Sequence, residues 1–177
     1  DAELSSELTY TLQGTASDGS FWMDGELKAT IVLNGLDLTC KDSAAVNIRC
    51  GKRISLLLAD GTTNSLTDGA EGQQKGCFMV KGHTEVKGNG SLQITGNAAH
   101  GFWGGEYLEL KKSTGTITIA KAAKDGLNVN QYVNIKGGTL KVLSAGDDGI
   151  QVSRTDDTSD ELNGQFIMSG GTVSLLC

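Results

Sequence analysis

Three short segments of alternating apolar and polar residues follow one another in a fixed order along this chain, and the trio then begins again. One series opens on glycine: Gly90-Ser91-Leu92-Gln93-Ile94, Gly115-Thr116-Ile117-Thr118-Ile119, Gly138-Thr139-Leu140-Lys141-Val142 and Gly171-Thr172-Val173-Ser174-Leu175. A second contains Ala45-Val46-Asn47-Ile48, Gly76-Cys77-Phe78-Met79, Gly101-Phe102-Trp103, Gly126-Leu127-Asn128-Val129 and Gly149-Ile150-Gln151-Val152. A third contains Ile31-Val32-Leu33, Ile54-Ser55-Leu56, Thr84-Glu85-Val86, Leu108-Glu109-Leu110, Val133-Asn134-Ile135 and Phe166-Ile167-Met168. Each segment has the two-residue period of a strand, and glycine or aspartate turns separate them. No stretch sustains a helical period for three turns.

Three strands per repeat, always in the same order, describe the coils of a parallel β-helix. Each strand then pairs with its equivalent one coil away, at ~4.8 Å along the axis. The expected fold is all-β, a single-stranded parallel β-helix of about six coils. Ile117, Leu127, Val133, Leu140 and Ile150 should fill one interior column, with Thr118, Asn128 and Asn134 outside. A β-sandwich also explains the alternation, but not the fixed phase of three strands. Composition agrees: among 177 residues there are 25 glycines and no proline. A chain without proline keeps every backbone N–H for a ladder. The length fits a single domain, residues 1–177, with 1–28 as an irregular first coil or cap.

Two insertions break the period, Asp68–Lys75 and the acidic stretch 153–164. Long turns on a regular scaffold are common carriers of function. The net charge of −6 argues against binding to duplex nucleic acid. No apolar run is long enough to span a bilayer. The chain starts at Asp1 without the pattern of a leader, which is expected to be absent or already removed. The four cysteines (Cys40, Cys50, Cys77, Cys177) lack zinc-type spacing and are expected to be free thiols, Cys77 buried.

The acidic residues Asp147, Asp148, Asp156 and Asp157 crowd the C-terminal end, and Asp125 precedes Gly126 as Asp148 precedes Gly149. Carboxylates stacked one coil apart, at ~4.8 Å, repel by roughly 3 to 4 kcal/mol at an effective dielectric of ~20. A hard cation with oxygen ligands removes that repulsion. The competing reading is that aspartate before glycine satisfies a turn and that the loop is a solvated flap. Trp103 faces outward if Phe102 faces inward, and an exposed indole stacks on a sugar ring. Tyr107 and Tyr132, in turns of the same and the next coil, could extend it into a shallow strip. Equally, Trp103 could fold against a loop. Trp22 is placed in the end cap. His100 occupies the turn position of Asp125 one coil earlier, which points to a ladder role.

The ordered set of fragments resembles a known family. Thr30-Ile31-Val32-Leu33-Asn34-Gly35-Leu36-Asp37-Leu38, Leu58-Ala59-Asp60-Gly61-Thr62-Thr63-Asn64-Ser65-Leu66-Thr67-Asp68-Gly69, Asn97-Ala98-Ala99-His100-Gly101, Lys124-Asp125-Gly126-Leu127, Lys136-Gly137-Gly138-Thr139 and Gly146-Asp147-Asp148-Gly149-Ile150 carry the likeness. It is to the bacterial secreted carbohydrate-binding β-helix proteins of the clostridial cellulose- and pectin-binding type, similar in fold to the calcium-dependent pectate lyases. The resemblance implies a right-handed β-helix, secreted or at the cell surface. It also implies binding of plant cell-wall polysaccharides, acidic ones included, and calcium held by turn aspartates. One departure is that the chain stops at Cys177, partway through a coil.

The leading expectation is therefore a non-catalytic, calcium-stabilised polysaccharide-binding module. The candidate metal ligands are Asp125, Asp147, Asp148, Asp156 and Asp157. The candidate sugar contacts are Trp103, Tyr107, Tyr132 and Lys124. One alternative is a calcium-dependent lyase on uronates, which would need Lys121, Lys124 or Arg154 as the base. Another is a structural, adhesin-like rod. The open C-terminal ladder is expected to be covered by an edge-to-edge homodimer or by the 153–164 loop.

Overall fold

The computed structural model describes residues 7–177, so the first six residues of the expected cap lie outside the described residues. It is a parallel β-helix of about six coils, and every paired strand runs parallel to its neighbour. A short sheet stacks Phe21–Met23, Val46–Ile48, Gly76–Val80, His100–Gly104, Leu127–Asn130 and Ile150–Ser153 in coil order. The other two faces merge into one long sheet, because Ala29–Thr39, Thr84–Gly96 and Leu108–Ala122 run unbroken round the corner between them. The separate strands expected there are thus joined in these three coils, and Leu8–Ala16 of the first coil runs round the same corner.

The bend inside these strands has a local cause. Gly35 adopts a φ of 75°, a left-handed conformation that glycine takes without strain. The fully buried Asn64 of the next coil receives the backbone N–H groups of Gly35 and Leu36, each at 2.9 Å, and holds the corner. Gly88 turns the same corner two coils on from Gly35, where a Cβ would lie 2.1 Å from the Leu58 carbonyl oxygen.

Inward side chains stack in register. Val46, Phe78, Phe102, Leu127 and Ile150 form one column, and Ile31, Leu56, Val86, Leu110 and Ile135 another. Phe78 and Phe102 meet edge to face at 5.5 Å. Ile117, Leu127, Val133 and Leu140 are buried as expected, whereas Ile150, in the last coil, is only half-buried. Asn134, expected outside, is buried where its amide donates to Glu109.

The first coil is more regular than a cap. Leu8–Ala16 pairs with Ala29–Leu38 along its length, with one irregularity between Leu12 and Gly14. The four cysteines are free, three of them buried, and burial pushes the Cys77 thiol far up. No helix of the described residues is long and apolar enough to cross a membrane.

Candidate carbohydrate-binding face and acidic turn

On the outer surface of the short sheet, one position per coil forms a ladder: Trp22, Asn47, Met79, Trp103, Asn128 and Gln151. The alternation that sends Phe102 inward sends Trp103 outward. Trp22 and Trp103 are three steps apart, roughly 14 Å at the ladder spacing. Between them lies an open groove of about 400 Å³, lined by Trp22, Asn47, Ile48, Arg49, Lys75, Met79, Lys81 and Trp103. Trp22 is 56% exposed, so its indole is available to solvent. The Arg49 guanidinium lies 5.4 Å from the Trp22 ring centre, and the Lys75 ammonium 4.5 Å from that of Trp103.

Trp22 was expected in an end cap; it stands instead at one end of this groove. Three residues, Phe21–Met23, suffice to place it on the ladder, but so short a strand carries little periodic signal. Arg49, Lys75 and Lys81 were missed for another reason. Arg49 follows Val46–Ile48, whereas Lys75 and Lys81 flank Gly76–Val80, and only the coil register brings Arg49 to the other two.

The tyrosines build something different from the expected strip. Tyr107 and Tyr132 stack on each other at 4.6 Å, and His83 stacks on Tyr107 at 4.6 Å. His83 and Tyr107 directly precede their strands and Tyr132 opens its own, and these strands pair in order, so the coil spacing is also the ring spacing. Their faces are engaged with one another, and neither tyrosine lines the groove beside Trp103. Burial pushes the Tyr132 hydroxyl up to about 12 and that of Tyr107 higher still. On the same side of the molecule, Lys111 bridges Glu85 (3.2 Å) and Glu109, and Lys136 reaches Glu109 at 2.7 Å. Burial pushes the Glu109 carboxyl up, but the two lysines outweigh it and hold it below the usual range. That surface satisfies its own charges.

The turn beyond Trp103 brings three acids together. Ligand oxygens of Asp125, Asp147 and Asp148 lie within 4.8 Å of one another, the first residue buried and the other two exposed. Asp125 is locked in place: it accepts the backbone N–H of Asp148 at 3.1 Å and the Asn128 amide at 2.8 Å. His100 Nδ1 receives the Asp125 backbone N–H at 3.2 Å, consistent with the expected ladder role. Burial holds this imidazole below its ordinary range, against the pull of the Asp125 carboxylate. Each carboxylate oxygen keeps lone pairs beyond these contacts, and an all-oxygen donor set suits a hard divalent cation. Lys124 is exposed, and its carbonyl accepts the N–H of Gly146 at 3.0 Å. Lys121 donates to Asn97 at 3.2 Å.

Asp156 and Asp157 do not join this group. Asp157 accepts the Ser159 N–H at 2.9 Å, and its bonds from Ser159 hold the carboxyl below the usual range. Asp160 accepts the Gln131 amide at 2.8 Å, and buried Asn163 ties Thr155 at 2.9 Å. The 153–164 loop is therefore held by its own side chains, and Phe166 and Met168 beside it stay exposed.

The whole chain, residues 1–177, matches the family model described as carbohydrate-binding domain-containing protein. The chain belongs to that family. A relative from Acetivibrio thermocellus with the same description is 32% identical over 120 residues, 62% of this chain and 41% of the relative. This chain thus matches about two fifths of that protein's length. A solved structure described as the polysaccharide lyase-like protein from C. thermocellum, a gadolinium derivative, superposes with a TM-score of 0.85 at 30% identity. It covers 96% of this chain and 70% of its own.

Proposed function

We propose that this carbohydrate-binding domain holds a polysaccharide chain along the outer ladder of its short sheet, in the groove that runs from Trp22 to Trp103. The single observation that carries the reading is the pair of indoles on one ladder with an open groove between them. Stacked on a pyranose, an indole buries the apolar sugar face while its N–H stays in water. Two such platforms about three coils apart suit a chain of several sugars rather than a single ring.

Within this proposal Asp125, Asp147 and Asp148 hold calcium, which stabilises the turn next to the groove. The closeness of three oxygen donors around a preset Asp125 supports this. The remaining parts of the reading rest on the family resemblance: a plant cell-wall polysaccharide as ligand and a secreted or surface location in a bacterium. The edge-to-edge homodimer is proposed on the exposed Phe166, Met168 and Leu176 of the last coil.

Titration calorimetry against soluble plant cell-wall oligosaccharides tests the groove. Trp22→Ala and Trp103→Ala should each weaken binding by about tenfold, roughly 1.4 kcal/mol. Wild-type affinity in both variants would overturn it. Ultraviolet absorbance of unsaturated products on polygalacturonate, with and without calcium, separates the binding module from a lyase.

A further inference from the structure

The groove has a property that the tryptophans alone do not explain. Its lining includes three cations, Arg49, Lys75 and Lys81, and no carboxylate. Among the described residues none of the three takes part in an ion pair, although the chain as a whole carries a net charge of −6. The neighbouring outer face does the opposite, matching Lys111 and Lys136 to Glu85 and Glu109. Two of the three groove cations lie over the indoles, at 4.5 Å for Lys75 on Trp103 and 5.4 Å for Arg49 on Trp22.

That position has a consequence for any sugar. A pyranose stacking on the covered ring face must first displace the cation, giving up an attraction worth about two- to fivefold in the equilibrium at an exposed site. A neutral sugar offers the displaced cation nothing in return. A sugar bearing a carboxylate offers it an ion pair a few ångströms away, in the same groove. The same side chains therefore penalise one class of ligand and reward the other.

Resting on the groove reading above, we infer that Arg49 and Lys75 are its specificity-determining residues. They cover the two stacking platforms against neutral glycans and uncover them for polyanionic ones, such as uronate polymers. Lys81 adds charge between the platforms without covering a ring. Selectivity is then set by two movable cations rather than by the shape of the groove.

The test uses the full chain with two probes of equal length, an oligogalacturonate and a cello-oligosaccharide, titrated at low and high salt. Wild-type protein should prefer the oligogalacturonate, and the preference should shrink with salt as screening weakens exposed charge pairs. Lys75→Gln combined with Arg49→Gln should lose about tenfold in affinity for the acidic probe. The same variant should gain about two- to fivefold for the neutral one. Both side chains are exposed and only the two cation–indole contacts are lost, so the melting temperature should fall by no more than a few degrees. Titration well below it keeps folding out of the comparison. Trp103→Ala is the control for the site itself. If it binds both probes like wild type, the groove reading falls and this inference with it. If it loses both probes while the double glutamine variant keeps the wild-type ratio, the groove stands and the gating is overturned. A wild-type preference for the neutral probe would overturn the gating as well.

Discussion

Asp125 does two things that can be separated by experiment: it organises a turn, and it offers an oxygen to a cation. Replacing it by alanine removes the acceptor of the Asp148 N–H (3.1 Å) and of the Asn128 amide (2.8 Å). Hydrogen bonds to a charged acceptor are worth about 1.5 to 3 kcal/mol each. The donors sit at a turn whose other members, Asp147 and Asp148, are exposed, so water recovers part of the loss. The net cost is then about 2 to 3 kcal/mol. For a chain of this length that corresponds to a fall of about 5 to 10 °C in melting temperature. The measurement is a thermal melt by circular dichroism in excess chelator, which removes any cation from the comparison. Asp147→Ala serves as reference: its side chain is exposed and accepts no hydrogen bond within the turn, so the change should stay within about 0.5 kcal/mol. If Asp125→Ala melts with wild type in chelator, the carboxylate does not hold the turn, and its burial has another cause.

Calcium should raise the melting temperature of wild type and leave Asp125→Ala unmoved; calorimetry should find Asp148→Asn weakened more than Asp160→Asn, whose carboxylate is engaged with Gln131. A cation-independent melt for wild type would remove the site. Leu127→Ala, in the buried column between Phe102 and Ile150, should cost about 2 to 5 kcal/mol, read by urea denaturation, and a loss below 1 kcal/mol would mean the column repacks freely. Burial raises the Asp68 carboxyl above its ordinary 3.8, so the stability it contributes is present at acid pH and lost as the pH rises through that raised value. Asp68→Asn keeps an acceptor for the Asn97 N–H, and its amide reaches the unpartnered Gln74 Oε1 once the Gln74 amide, which donates its Nε2 to Asp68 at 2.7 Å, turns over. It should therefore match or exceed wild type near pH 7, with its advantage shrinking on acidification; a difference that does not change with pH would refute the burial argument.

The coils were legible because alternation and register report the same physics. A residue such as Leu127 or Val133 must be apolar to stack inward, and its neighbours one coil away must be apolar too, so the pattern repeats in the sequence. The outer face obeys no such rule. Trp22, Asn47, Met79 and Trp103 share a ladder without sharing a chemistry, and nothing in the string of letters marks them as neighbours. Tyr107 and Tyr132 show the reverse error. Equivalent aromatic residues one coil apart read as a surface for a ligand, yet at coil spacing their best stacking partner is each other. The acidic turn was half legible. Asp125 and Asp148 follow from equivalent positions, but the geometry of an inserted loop does not follow from the period, and Asp156 and Asp157 went with the loop.

Every ladder bond in this molecule runs along the rod axis, linking one coil to the next. Load applied along that axis therefore pulls on the hydrogen bonds end to end, and three faces share it at each junction. Load applied across the axis, to a chain lying in the groove, acts on covalent backbone within each coil. If the ligand strand is dragged sideways, the coils resist as stiff hoops; if it is dragged lengthwise, the weakest junction opens first, and the rest of the stack keeps its structure.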